Sequence, residues 1–298
     1  MTELPHWFTW AMDQDPDHRE TKVEGAHIAY RAWGREGAPV AVLVHGGAAH
    51  AGWWDHVAPH LAGLDGSGDH RVVALDLSGH GDSDHRDAYT LELWAQEVLE
   101  VAAAESADRP VVFGHSMGGF IALTAAREHG ERLLGAAAID SPVRDVSSEA
   151  RAWQRDRAGS AMPVYPDAET MVARFRTLPE DASSLPWIRE PIARGSIREV
   201  DAASTGSGQG GWSWKFDPRV FLRSMMSPAD VSHAACEVAL IRGERGMATT
   251  DITAEVRARL GGRVPVTVIP DAGHHLMLDQ PVALIAVLQT LLGQWRNR

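Results

Sequence analysis

Ser116 lies inside Gly114-His115-Ser116-Met117-Gly118-Gly119, a Gly-x-Ser-x-Gly motif with one further glycine. The apolar run Pro110-Val111-Val112-Phe113 precedes it, and the helical run Phe120-Ile121-Ala122-Leu123-Thr124-Ala125-Ala126 follows. A serine on so sharp a strand-to-helix turn is held in a strained backbone that lifts its hydroxyl above the sheet edge. Glycines two residues to either side are required, because side chains there would collide across the turn. The serine is therefore a candidate nucleophile. Upstream, Val40-Ala41-Val42-Leu43-Val44 reads as a buried strand and runs into His45-Gly46-Gly47-Ala48. The backbone N–H groups of Gly47 and Met117 are the candidate donors of an oxyanion hole. Near the C-terminus, the strand Val264-Pro265-Val266-Thr267-Val268-Ile269-Pro270 leads into Asp271-Ala272-Gly273-His274-His275-Leu276. A histidine in that loop can reach over the sheet edge and act as base to the serine. Nucleophile, base and oxyanion donors together imply chemistry at a carbonyl.

The elements that must position these groups alternate. Lys22 to Gly34 reads as two strands around the Glu24-Gly25 turn, after an N-terminal arm in which Trp7, Phe8 and Trp10 pack onto the body. Then come a strand at 40–45, a helix at 51–63, a strand at 71–76 and a helix at 90–105. A strand at 110–114, a helix at 117–129 and a strand at 134–139 follow. In the 90–105 helix, Leu91, Trp94, Val98, Val101 and Ala102 recur at three- and four-residue spacing, which buries one face. Such alternation predicts a mainly parallel sheet with helices on both faces. The rhythm breaks over 141–232 and resumes with strands at 237–242 and 264–269 and helices at 251–260 and 281–295. The break is rich in tryptophan, phenylalanine and methionine, and holds the run Ser204-Thr205-Gly206-Ser207-Gly208-Gln209-Gly210-Gly211, read as a flexible loop.

HGG at 45–47, Asp76-Leu77-Ser78-Gly79-His80-Gly81-Asp82-Ser83, GHSMGG at 114–119 and GHHLMLDQP at 273–281 resemble, in order, the motifs of the α/β-hydrolase superfamily. The resemblance implies a mainly parallel eight-stranded sheet with helices on both faces and a helical cap inserted after strand 6. The implied divisions are a core at 1–140 and 233–298 and a cap at 141–232, with Trp153, Trp187, Trp212, Trp214 and Met225 as candidate substrate contacts. It favours His274 over His275 as the base, since His274 follows Gly273 as in the family motif. It also places the acid of the triad after the penultimate strand, three residues past a glycine, where this chain has Gly246. Asp140, at the end of the sixth strand, is the first alternative, as some family members place the acid there. Glu244 is the second. Asp251 is the third, though it also suits an N-cap of the 252–260 helix. The stretch from Asp76 to Ser83 reads as a structural turn, His45 as a brace of its own loop, and His115 as pointing away from the serine.

The resemblance implies hydrolysis of a carboxylic ester through an acyl-enzyme, with a small apolar ester or acyl compound as substrate. A serine nucleophile excludes the dehalogenase and epoxide hydrolase chemistries of the superfamily, which use aspartate. C–C bond, thioester and lactone hydrolysis and perhydrolysis use the same residues. A catalytically silent ligand-binding hydrolase fold is the non-enzyme alternative, disfavoured because both serine and histidine are present. The formal charge of −12 argues against a nucleic-acid surface. No metal-ligand spacing is present and the chemistry calls for no cofactor. Cys236 is a lone cysteine, read as a buried inert thiol. The N-terminal residues lack the pattern of a signal peptide and no apolar run is long enough for a membrane span, so a cytoplasmic protein is the expectation.

Overall fold

The computed structural model describes residues 3–66, 68–181, 183–202, 210–223 and 225–296. Most of the Gly/Ser run, residues 204–209, lies outside the described residues. The chain opens with α1 (His6–Met12), β1 (Asp17–Val23), β2 (Ala26–Trp33), β3 (Val40–Val44), α2 (Ala58–Ala62) and β4 (Arg71–Leu75). It continues through α3 (Leu91–Glu105), β5 (Val111–His115), α4 (Met117–His129) and β6 (Gly135–Ile139). Between β6 and β9 lie α5 (Ser148–Gly159), α6 (Ala168–Val172), α7 (Pro186–Gly195), β7 (Ile197–Val200) and β8 (Gly211–Trp214). The last part is β9 (Glu237–Gly243), α8 (Thr250–Arg259), β10 (Val266–Ile269), α9 (Leu276–Asp279) and α10 (Pro281–Arg296).

Eight strands form one sheet in the order β1-β2-β4-β3-β5-β6-β9-β10. Strand β2 runs antiparallel to β1 and β4; all other pairs are parallel. The central strands are buried on both faces, so their sequences are continuous apolar runs. Alternate residues serve two cores. Val40, Val42 and Val44 face the layer that includes α3 and α4, with Trp94, Val98 and Phe120. Ala41 and Leu43 face the layer built from α1, α2 and α10, with Phe8, Leu61 and Leu288. The edge strand β1 is largely exposed. Strands β4 and β5 lie on opposite sides of β3, so chain order reverses there, and the crevice outside the strand ends is where such sheets bind ligands.

Three elements differ from the sequence-based expectation. Strand β1 already begins at Asp17, within the stretch read as an N-terminal arm. The segment 51–63 is a 3-10 turn, Ala51–Trp54, followed by the short α2, rather than one helix. Pro59 supplies no N–H to a longer helix, and Gly63, at φ 70°, ends α2 in the left-handed region. The segment between β6 and β9 is not wholly helical: β7 and β8 form a two-stranded antiparallel sheet, with Ile197 opposite Trp214. The segment is tied to the core by His50 Nε2 to the Ile192 carbonyl (3.1 Å), Leu185 N–H to the Leu278 carbonyl (3.0 Å) and Tyr89 Oη to Asp217 (2.8 Å).

Candidate active site

Ser116 sits at the carboxyl end of β5 with φ 55° and ψ −113°. Its N–H continues the sheet ladder to the Ile139 carbonyl at 2.8 Å, and α4 starts at the next residue. The strain of this turn has a visible support. A Cβ on Gly114 would lie 2.0 Å from the Gly118 carbonyl oxygen, and one on Gly118 2.4 Å from that of Val44. Only glycine fits at either position.

His274 follows β10 and its ring bridges two groups. Nε2 lies 3.0 Å from Ser116 Oγ, and Nδ1 lies 2.6 Å from Asp140 Oδ2. Asp140 is fully buried at the end of β6, with its own N–H on the Ile241 carbonyl (2.7 Å) and φ 45°. Two backbone amides of the β9 loop hold its carboxylate: Gly243 N–H at 3.2 Å and Met247 N–H at 2.7 Å. These amides aim the carboxylate at the ring. The loop position at which the resemblance placed the acid is closed by this arrangement. A Cβ on Gly246 would fall 2.0 Å from Asp140 Oδ1.

The other carboxylates lie elsewhere. Glu244 accepts the Asp271 N–H at 3.0 Å and does not face His274. Asp251 is in the first turn of α8; the N-cap is Thr249, whose hydroxyl accepts from Ile252 N–H, which corrects the N-cap expectation for Asp251.

Met117 is the first residue of α4, and its N–H is one of the helix's unpaired donors. Gly47 lies beyond the end of β3. Among the described residues, neither N–H donates to a protein backbone or side-chain acceptor, and both residues line the same cavity as Ser116 and His274. His45 keeps its loop in place, with Nδ1–H on the Gly46 carbonyl (2.7 Å) and Nε2 accepting Leu77 N–H (3.2 Å).

The cavity over Ser116 has a volume of about 1030 Å³, at the upper end of the usual range for small-molecule sites. Trp153, Trp214 and Met225 are in its wall, with Phe216 and Phe221. Trp187 and Trp212 are not. Trp187 packs edge-on against Phe8 (4.6 Å between centroids) and Trp7 (5.8 Å), because α7 docks beside the N-terminal helix. Trp212 exchanges backbone hydrogen bonds with Tyr165 (2.9 and 2.8 Å), and Tyr165 takes that stretch of wall.

Three further groups gave no clear signal in the sequence. His115 does not turn away into the core alone: its Nε2–H donates to the His274 carbonyl at 2.9 Å and braces the base. Its neighbour His275 lines the cavity, 4.7 Å from the His274 ring, with Nδ1 buried and without a hydrogen-bond partner among the described residues. Burial, then the His274 ring, pushes its pKa down to about 3, so it is neutral at physiological pH. Arg223 lines the cavity beside Gly47. Cys236 is half-buried and its thiol is pushed up to about 11, chiefly by burial, which makes it a poor nucleophile.

Residues 41–287 match the model of the alpha/beta hydrolase family, and the chain belongs to that family. Its relatives include esterases. It is 26% identical to an esterase of Mycobacterium tuberculosis over 281 residues, covering 91% of this chain and 88% of that one. It is 27% identical to the pimeloyl-[acyl-carrier protein] methyl ester esterase of Vibrio atlanticus over 165 residues, 55% of this chain and 60% of that enzyme. Among solved structures, the thioesterase domain from the curacin biosynthetic pathway superposes with a TM-score of 0.73 at 21% identity, covering 92% of this chain and 99% of that domain. Among the described residues no helix is long and apolar enough to cross a membrane.

Proposed function

We propose that this chain is a serine hydrolase of carboxylic esters, working through an acyl-enzyme, with Ser116 as nucleophile, His274 as base and Asp140 as acid. The observation that carries the reading is one continuous chain of contacts, Ser116 Oγ to His274 Nε2 at 3.0 Å and His274 Nδ1 to Asp140 at 2.6 Å, at the floor of a large, mostly apolar cavity. Ser116 Oγ attacks the ester carbonyl and passes its proton to Nε2. The Asp140 carboxylate holds Nδ1–H and stabilises the imidazolium. The Gly47 and Met117 N–H groups, having no protein acceptor, receive the oxyanion. As the tetrahedral species collapses, His274 returns the proton to the leaving alcohol. Water then attacks the acyl-enzyme by the same steps in reverse and frees the acid and Ser116. In this reading residues 141–232 act as a cap that supplies aromatic wall, with Trp153, Trp214, Phe216 and Phe221 in it. The esterases among the relatives support this chemistry over the others the triad could run.

A panel of p-nitrophenyl esters of rising acyl length tests activity, with Ser116→Ala as control. Ser116→Ala lowers turnover by several orders of magnitude, the residue left being due to the oxyanion donors. A variant retaining more than a tenth of wild-type activity refutes Ser116. A fluorophosphonate probe labels wild type at Ser116; a protein that neither labels nor hydrolyses any ester is a ligand-binding relative instead.

A further inference from the structure

Arg223 follows the 3-10 helix Pro218–Leu222 and reaches into the cavity. Its Nη1–H donates to the Val220 carbonyl at 3.0 Å. Its Nε is buried and, among the described residues, has no hydrogen-bond partner. Among the described residues no acceptor engages Nη2 and no carboxylate pairs with the guanidinium. Nε and Nη2 share one edge of the guanidinium, the edge that holds a carboxylate by two parallel hydrogen bonds. That edge is open. Other arginines with little exposure are paired within the fold: buried Arg71 by Glu105 (2.6 Å) and Asp17 (2.7 Å), part-buried Arg86 by Glu97 (3.0 Å). Burial lowers the Arg223 pKa only to about 10, so the side chain is a cation at neutral pH.

Its position relative to the chemistry is defined by Gly47. A Cβ on Gly47 would lie 3.5 Å from Arg223 Nη2 and 3.8 Å from Met117 Sδ, so the cation borders the loop whose N–H faces the substrate carbonyl. The leaving group must face His274 to take its proton. A group bound beside Gly47 lies on the oxyanion side of the reacting carbonyl, where the acyl half of the ester can carry it. The rest of the wall agrees in sign: Arg144, Arg157 and Arg174 line the cavity with one carboxylate, Asp145, while Arg176, also in the wall, pairs with Glu180 (3.1 Å), although the whole chain carries −12. Such a rim draws anions inward.

We propose that Arg223 binds a free carboxylate on the acyl part of the substrate, so that the preferred substrate is a monoester of a short dicarboxylic acid. This rests on the ester-hydrolase reading for its chemistry, but the anion site can be tested apart from turnover. The kinetic arm compares p-nitrophenyl valerate with mono-p-nitrophenyl glutarate, which differ by a terminal methyl against a carboxylate. Wild type favours the glutarate at least tenfold in kcat/KM. Arg223→Met lowers that preference at least thirtyfold, mainly through KM, and Arg223→Lys keeps part of it as a point charge. A wild type that prefers valerate, or a preference unchanged in Arg223→Met, overturns the proposal. The binding arm uses free glutarate and inorganic phosphate with thermal unfolding as readout. Glutarate raises the Tm of wild type and of Ser116→Ala but not of Arg223→Met, and phosphate does not substitute for it. Equal shifts in wild type and Arg223→Met, no shift in wild type, or an equal response to phosphate overturns it. If no ester is turned over while glutarate binds through Arg223, the ester-hydrolase reading fails and the anion site stands.

Discussion

Asp140 contacts the His274 ring, the contact that the resemblance expected of a carboxylate in the loop after β9. Its carboxylate fills the space in front of the β9 loop, and the loop answers with two amides and a glycine. The imidazole is thereby oriented from the end of β6 rather than from the loop after β9. Asp140→Asn presents an N–H or a weaker acceptor to Nδ1 and favours the wrong tautomer. Turnover of a p-nitrophenyl ester is expected to fall by about 10³- to 10⁴-fold. Glu244→Gln, which disturbs only a brace to the Asp271 N–H, is expected to lower it less than tenfold. A crippled Glu244→Gln beside a mild Asp140→Asn would reverse the assignment.

At the scale of elements, the candidate site is a meeting of four strand ends. The β3 end brings Gly47, the β5 end Ser116, the β6 end Asp140 and the β10 end His274. Parallel pairing aligns these ends, because Val44 sits opposite Gly114, His115 opposite Ile139, and Ile139 opposite Ile241. The loop after β9 contributes by what it omits. Gly246→Ala would place a methyl group 2.0 Å from Asp140 Oδ1 and push the carboxylate off His274. A displacement on the order of 1 Å corresponds to roughly a 10²-fold loss of turnover. The expected result is a fall of that size in kcat with the fold intact by circular dichroism. Wild-type kcat in Gly246→Ala would show that the loop has room to give. The segment between β6 and β9 carries its own lesson. Trp212-Ser213-Trp214 alternates large and small with the period of a strand, and it pairs as one.

The whole molecule stores protons unevenly. His50 and His56 are pushed down to about 4 and His275 to about 3, in each case first by burial. A histidine whose folded pKa lies below its unfolded value of about 6.5 binds fewer protons when folded, so its contribution is intact above pH 6.5 and is lost as pH falls. At pH 5 each loses about 2 kcal/mol of stability. Asp55 acts in the opposite sense: burial raises it to about 6, so it takes up a proton in the folded state and restores about 1 kcal/mol by pH 5. His80 and His115, also lowered by burial, add to the loss below pH 6.5. Unfolding between pH 6.5 and 5 is therefore expected to take up at least two protons, and Tm to fall steeply across that window. A Tm independent of pH there would show that these rings titrate freely in the folded state.

What could be read from the chain alone was what short stretches impose. Val40-Ala41-Val42-Leu43-Val44 reads as a strand buried on both faces, and Gly114 as one side of a turn too tight for a side chain. These follow from periodicity and local sterics, which need no distant partner. Only the tertiary structure decided that Asp140 meets His274, 134 residues apart, that Trp187 serves the N-terminal helix rather than the cavity, and that no carboxylate among the described residues pairs with Arg223. Each depends on which strand ends and helices pack side by side. Burial and pairing arise between segments remote in sequence, and the identity of a residue does not record which neighbours the fold will give it.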